Sequence, residues 1–332
     1  MRYLNIFQSN NKQKISSLVL FLIAMLSAWL IFEAFNAQHT LQNANKYQFD
    51  AFMEEIRGVS FNEMGNIDAE FYSSSMKHYP NENITEMENP LFYIYDQENT
   101  PWKISAQKGK TRKGVSELIL WNHVVGFKPK NLQHPATKIL TNYLFILPEK
   151  KYAQTNSEIS TQQGDFLIKS EGANIDLNKE IIKLSKNVRS TMFESDKKWL
   201  LNASKAYFKI KNKMAVYEGN VIFSQDLRHL YANQLSVYLD SQNALQEATA
   251  LGKPAIIHIA EQEKISSMQG NAEKIQYLPK QNLIVFKGNV NITQDHNNYK
   301  SPYMTYNMKK QTIKTPFTQE GGTITIKTSS SQ

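Results

Sequence analysis

Two regimes of hydrophobic patterning divide the chain. Ile15 to Phe32 carry no charge, and the apolar stretch reaches Phe35 past Glu33. Twelve of the residues from 15 to 35 are Leu, Ile, Val or Phe. At roughly −0.3 to −0.6 kcal/mol for each central position, membrane insertion gains on the order of 4–7 kcal/mol. About 20 helical residues rising about 1.5 Å each span one hydrocarbon core. The pattern therefore predicts a transmembrane helix over 15–35. From about residue 50 the period changes to two. Short alternating or aromatic runs, such as Leu91-Phe92-Tyr93-Ile94-Tyr95 and Ile284-Val285-Phe286, are separated by Asn, Gly, Pro, Lys and Asp clusters. Such runs predict strands, and the body reads as all-β. The segment from Ser241 to Thr249 is the one place where a helical turn is expected.

The strands carry an internal repeat. ASKAYFKIKNKMAVYEGNVIFSQD begins at Ala203, and AEKIQYLPKQNLIVFKGNVNITQD begins at Ala272. A fainter copy begins at Ala106, and a fourth ending is Leu184 to Val188. Each copy closes with an apolar residue, two spacers, Asn or His, then Val. Successive strand side chains point to opposite faces. Ile182, Leu184 and Val188 therefore share one face, as do Tyr217, Gly219, Val221 and Phe223, and Ile284, Phe286, Gly288, Val290 and Ile292. Alternation of this kind fits a filled core as well as an open apolar groove. The pairs Gly219-Asn220 and Gly288-Asn289 resemble hairpin turns. They sit inside apolar runs, however, and a bulge or a tight strand crossing fits equally.

Charge and composition narrow the function. Arg2, Lys12 and Lys14 precede the apolar span, and acidic Glu33, Asp50, Glu54 and Glu55 dominate its C-terminal flank. The excess of basic residues on the N-terminal side places residues 1–14 in the cytoplasm and the rest across the membrane. A cleaved signal peptide is the competing reading, but no A-x-A site comes after the span. The net charge of +8 comes from 38 basic and 30 acidic residues, interspersed without a Lys/Arg block. That argues against nucleic acid and for anionic partners. With no cysteine, disulfides and thiolate chemistry are excluded. The histidines form no HExxH or HxH pair, so surface or turn roles are expected of them and no metal site is. Without a GxSxG motif or a paired acid and base, no enzyme is expected, and no cofactor.

The segments TEMENPLFYIYDQENTPWKISAQKGK (from Thr85), KILTNYLFILPEKKYAQTNSEIS (from Lys138) and LNKEIIKLSKNVRSTM (Leu177 to Met192) resemble LptC, the bitopic lipopolysaccharide-export family. VYEGNVIFSQ (from Val216), ATALGKPAIIH (from Ala248), GNAEKIQYLPKQNLIVFKGNVNITQ (from Gly270) and YMTYNMKKQTI (from Tyr303) resemble LptA, the soluble OstA-like bridge family of the same pathway. The order predicts a cytoplasmic tail (1–14), a transmembrane helix (15–35), an LptC-like unit (36–192) and an LptA-like unit (193–332). The resemblance implies two stacked β-jelly-rolls, twisted and partly open sandwiches whose interior binds acyl chains. It also implies an inner-membrane, single-pass, largely periplasmic protein. The implied partners are lipopolysaccharide, the inner-membrane export ABC transporter, and the outer-membrane translocon or further bridge subunits. Face parity assigns Ile182, Leu184 and Val188 to the groove of the first unit. In the second it assigns Trp199, Leu201, Tyr217, Val221, Phe223, Ile257, Phe286, Val290 and Ile292. Met87, Leu120 and Val124 join them less cleanly, because apolar residues there occupy both faces. A membrane-tethered β scaffold or polysaccharide binder with a closed core is the alternative.

Overall fold

A computed structural model describes residues 49–328, apart from 62, 96–99, 114–115, 132–134, 149, 177, 195–196, 241–243, 262–266, 296 and 316–324. The anticipated transmembrane helix lies outside the described residues. Among the described residues no helix is long and apolar enough to cross a membrane. The described chain is nearly all strand, as its period-two patterning requires, with one 3-10 turn at Pro279–Gln281. The helical turn anticipated around Ser241–Thr249 is not found in its described part, because Leu245–Thr249 opens a long strand.

Two compact units are present. Among the described residues, one comprises those up to Gly164 with Gly172–Lys179, and the other Asp165–Glu171 with those from Glu180. In the first, β1 (Ala51–Phe61) pairs with β2 (Ile67–Tyr79), which pairs with both β3 (Ile84–Glu88) and β4 (Leu91–Ile94). Next come β5 (Trp102–Ser105) against β4 and β6 (Lys108–Arg112) against β3. β7 (Glu117–Lys128) covers β5 and β6, and is followed by β8 (Thr137–Leu147), β9 (Tyr152–Gln163) and β10 (Phe166–Asp176), of which only the part from Gly172 belongs to this unit.

The second unit repeats the scheme. β11 (Ile181–Glu194) pairs with the half-length strands β12 (Lys197–Ala203) and β13 (Lys205–Lys209), and both pair with β14 (Met214–Gln225). An antiparallel meander continues through β15 (Arg228–Leu239), β16 (Leu245–Ile259), β17 (Met268–Leu278), β18 (Leu283–Gln294) and β19 (Asn297–Asn307). Two half-strands, β20 (Thr312–Lys314) and β21 (Thr325–Thr328), pair with β19 at the end.

Half-strands recur where a long strand is divided at its middle into two arms, each with its own partner. The repeated ending marks that division, where the strand bends. Asn122, His123, Asn187, Gly219, Asn220, Gly288 and Asn289 all have positive φ. The pairing register slips at Trp121/Val124, Glu218/Val221 and Lys287/Val290. The Gly-Asn pairs are thus bulges inside strands and not hairpin turns; an extra left-handed residue turns the strand and keeps it in the sheet. At φ of +76° and +78°, Gly219 and Gly288 sit where a side chain is strained, and a Cβ would also meet Ser204 or Glu273. Asn289 donates to Glu273 (2.6 Å), and Asn187 donates likewise to Glu171 (2.7 Å).

A bend strips some carbonyls of ladder partners, and buried hydroxyls replace them. Ser73 Oγ donates to the carbonyls of Ser75 and Glu88, both at 2.8 Å. Thr141 Oγ1 donates to the Glu158 carbonyl at 2.9 Å. The arms fold onto each other. Phe71 and Phe92 of one arm share a core cluster with Met76, Met87, Leu118 and Leu120 of the other. In the second unit the Tyr217 hydroxyl lies 3.2 Å from Ser190 Oγ on the opposite arm.

Candidate apolar groove

Cross-strand registers arrange the interior of the second unit into rows. Beside the bend on one arm lie the register pairs Val188–Ala203, Val221–Ala232, Ala255–Ala272 and Val290–Ser301. On the other arm runs Leu184–Ala206–Tyr217–Leu235–Ala250–Ile275–Phe286–Met304. Phe286 has no exposed surface and Val221 is 1% exposed. Burial raises the ionisation of the Tyr217 hydroxyl above the ordinary phenol range, so the phenol stays neutral, and its contact with Ser190 offsets this in part.

Farther from the bend the rows loosen. Leu201, Phe223, Leu230, Ile257, Gly270 and Ile292 form the next row on the first arm. There Phe223, Leu230 and Ile257 are half-buried, while Ile292 is fully buried. On the second arm Ile182, Phe208, Ala215, Val237 and Ala248 are half-buried, whereas Ile284 and Tyr306 are closed off. The unit is therefore sealed toward β18 and β19 and has apolar lips along β11 to β16. Trp199 stands one step beyond Leu201 on β12, half-buried, with its ring edge-on to Phe223 at 6.0 Å.

The structure places every sequence-assigned residue on an inward face, and those of the second unit fall into these rows except Trp199, one step beyond them. In the first unit, Met87 and Leu120 lie in one row, Met76–Met87–Gly109–Leu120–Leu144. Val124 lies just across the bend, beside Thr141. Ile182, Leu184 and Val188 were assigned to the first unit by sequence, yet their strand β11 packs in the second. His78, expected at a surface or turn, is instead buried, with Nδ1 3.0 Å from Thr85 Oγ1. Sequence reasoning missed Leu230, Leu235, Ile275, Met304 and Tyr306. Among the described residues no cluster of His, Asp and Glu is arranged to hold a metal.

A family model described as "Lipopolysaccharide-assembly, LptC-related" matches residues 17–194, more than half the chain. The chain belongs to this LptC-related family. A second model, "LptA/(LptD N-terminal domain) LPS transport protein", matches residues 200–312, so an LptA-like part follows the LptC-like part in one polypeptide. The lipopolysaccharide export system protein LptH of Pseudomonas aeruginosa is 24% identical over 113 residues, 34% of this chain. The match spans 65% of that relative's length. The crystal structure of LptH, described as the LptA-homologous periplasmic component of the lipopolysaccharide transport device of that organism, aligns with 40% of this chain and 94% of its own. The TM-score there is 0.35 at 21% identity. The LptA-like match covers the row-forming strands from β12 to β19 and the first residue of β20.

Proposed function

We propose that this LptC-related chain is a non-enzymatic lipopolysaccharide carrier. Residues 15–35 anchor it in the inner membrane with residues 1–14 cytoplasmic, and two jelly-roll units, the second beginning at β11 and not at residue 193, extend into the periplasm. It takes lipopolysaccharide from the export ABC transporter and passes it toward the outer-membrane translocon or further bridge subunits. One observation carries the reading: two rows of half-buried apolar side chains line the arms of the second unit from β11 to β16. Exposing an acyl chain of about 12 carbons to water costs on the order of 10 kcal/mol, so a lipid crosses an aqueous space only along such a surface. Apolar contact is non-directional and lets a chain slide.

The rows beside the bend already bury one another, which favours the closed-core alternative at that depth. Acyl chains would ride along the lips and part the arms as they pass. Photo-crosslinking residues at Phe223 and Ile257 test this, with Ile222, which is exposed on the opposite face of β14, as control. Capture of lipopolysaccharide at the two lip positions and not at Ile222 is expected. Equal capture at all three, or none at the lips, refutes the reading.

A further inference from the structure

β7 is apolar on both faces. Leu118 and Leu120 point into the core, while Ile119 and Trp121 point outward. Outside, Ile119 stands between Lys110 and Phe145, and Trp121 between Lys108 and Tyr143. These strands frame an open depression of about 430 Å³, floored by Ile119 and walled by Trp121 and Tyr143. Lys110 and Arg112 stand on one side, and Asn122 and Asn142 on the other. The bend builds part of it, since left-handed Asn122 belongs to the bulge of β7. The His123 N–H donates to Asn142 Oδ1 at 3.3 Å, which leaves the Asn142 NH₂ as a donor.

Of the neighbouring carboxylates, Glu88 takes Lys108 and Glu117 takes Lys113 at 2.7 Å, while Glu86, opposite Lys110 on β3, accepts a hydrogen bond from the Tyr79 hydroxyl at 3.4 Å. Among the described residues neither Lys110 nor Arg112 enters an ion pair. Lys110 lies over the Trp121 ring, 5.7 Å from its centroid.

We infer that this outer depression is a subsite for an anionic saccharide. Aromatic faces stack on the C–H faces of a sugar, carboxamides bond its hydroxyls, and the two cations hold a phosphate or carboxylate. Concavity and the paired carboxamides favour a sugar over a flat membrane surface. The subsite shares no side chain with the interior rows.

Titration calorimetry on the full chain in detergent tests it with deacylated, phosphorylated lipopolysaccharide, the same glycan after phosphatase treatment, and an unrelated carboxylated oligosaccharide. The phosphorylated glycan is expected to bind, with tenfold loss in Arg112→Gln and on phosphate removal, and larger loss in Trp121→Ala. Arg112 is exposed, so Arg112→Gln keeps the fold, which circular dichroism checks. Binding of the carboxylated oligosaccharide as well assigns the site to anionic saccharides generally; binding of the phosphorylated glycan alone assigns it to the head group of the carried lipid. Phe223→Arg, on the interior lip, should leave glycan binding unchanged even if it stops lipid capture. No binding, equal binding by Trp121→Ala, or indifference to phosphate overturns the inference. So does binding of these residues to anionic phospholipid vesicles without any saccharide affinity.

Discussion

The seating of Phe286 on Gly270 is a sharp test of the interior. The Phe286 ring is wholly buried on β18, and Gly270 on β17 lacks the Cβ that would run into ring atom Cε1. That Cβ would also lie 2.8 Å from Cζ and 3.3 Å from Ile257 Cγ2. Gly270→Ala should therefore destabilise by about 2 kcal/mol through overpacking. Phe286→Ala should cost about 4 kcal/mol, from lost transfer energy and the cavity left behind. With the ring gone, Cβ at residue 270 has room. The second substitution should then be neutral, or stabilising by about 0.5–1 kcal/mol through reduced freedom of the unfolded chain. The double mutant should therefore be more stable than the sum of the singles by about 2–3 kcal/mol, far outside the additivity expected of independent sites. Because two units need not unfold together, hydrogen exchange of peptides from β17 and β18 is the appropriate assay. If Gly270→Ala destabilises as much in the Phe286→Ala background as beside the native ring, the ring does not lie on Gly270. The β17–β18 register would then be wrong, along with the row assignments built on it.

The bends and the first unit supply two more tests. Gly288→Val should lower stability by about 2 kcal/mol or more, since a β-branched residue resists φ of +78° and its Cβ meets Glu273; unchanged exchange in β18 would refute the bulge as a required corner. Glu70, mostly buried, accepts hydrogen bonds from Tyr72, Tyr95 and Arg57, and these contacts, Tyr72 foremost, hold its carboxyl below the usual carboxylate range. Its stabilisation is complete above the unfolded carboxylate pKa of about 4.3 and is lost as pH falls through the lower folded value. Glu70→Gln should cost about 1–2 kcal/mol at neutral pH and flatten the acid limb of a pH–stability profile measured on β2 peptides; an unchanged limb would show that the carboxylate makes no such contribution.

Alternation and turn chemistry were enough to read the body as all-β, and the repeated Asn-Val endings were legible as structural punctuation. The inward faces of β11, β14 and β18 could be read because the step across their bends keeps parity: Leu184 to Val188, Tyr217 to Val221 and Phe286 to Val290 are each four residues apart. On the partner strands the step is odd. Ala232 and Leu235, Ala272 and Ile275, and Ser301 and Met304 are each three apart, so alternation carried through the bend points the far arm outward. That is why Leu235, Ile275 and Met304 escaped notice. Only the register between strands reveals which strand bulges and which does not, because a bulge is a mismatch between two chains in a ladder and leaves no mark in either period alone. Burial was likewise beyond the sequence. Phe223 and Phe286 are both aromatic residues on inward faces, yet one is half-exposed at a lip and the other sealed, because the distance between the arms is set by the packing of the whole unit. The same holds for β7: the sequence showed that both faces are apolar, but only the fold placed Trp121 beside Tyr143, with Lys110 and Asn142 around them, on the outside.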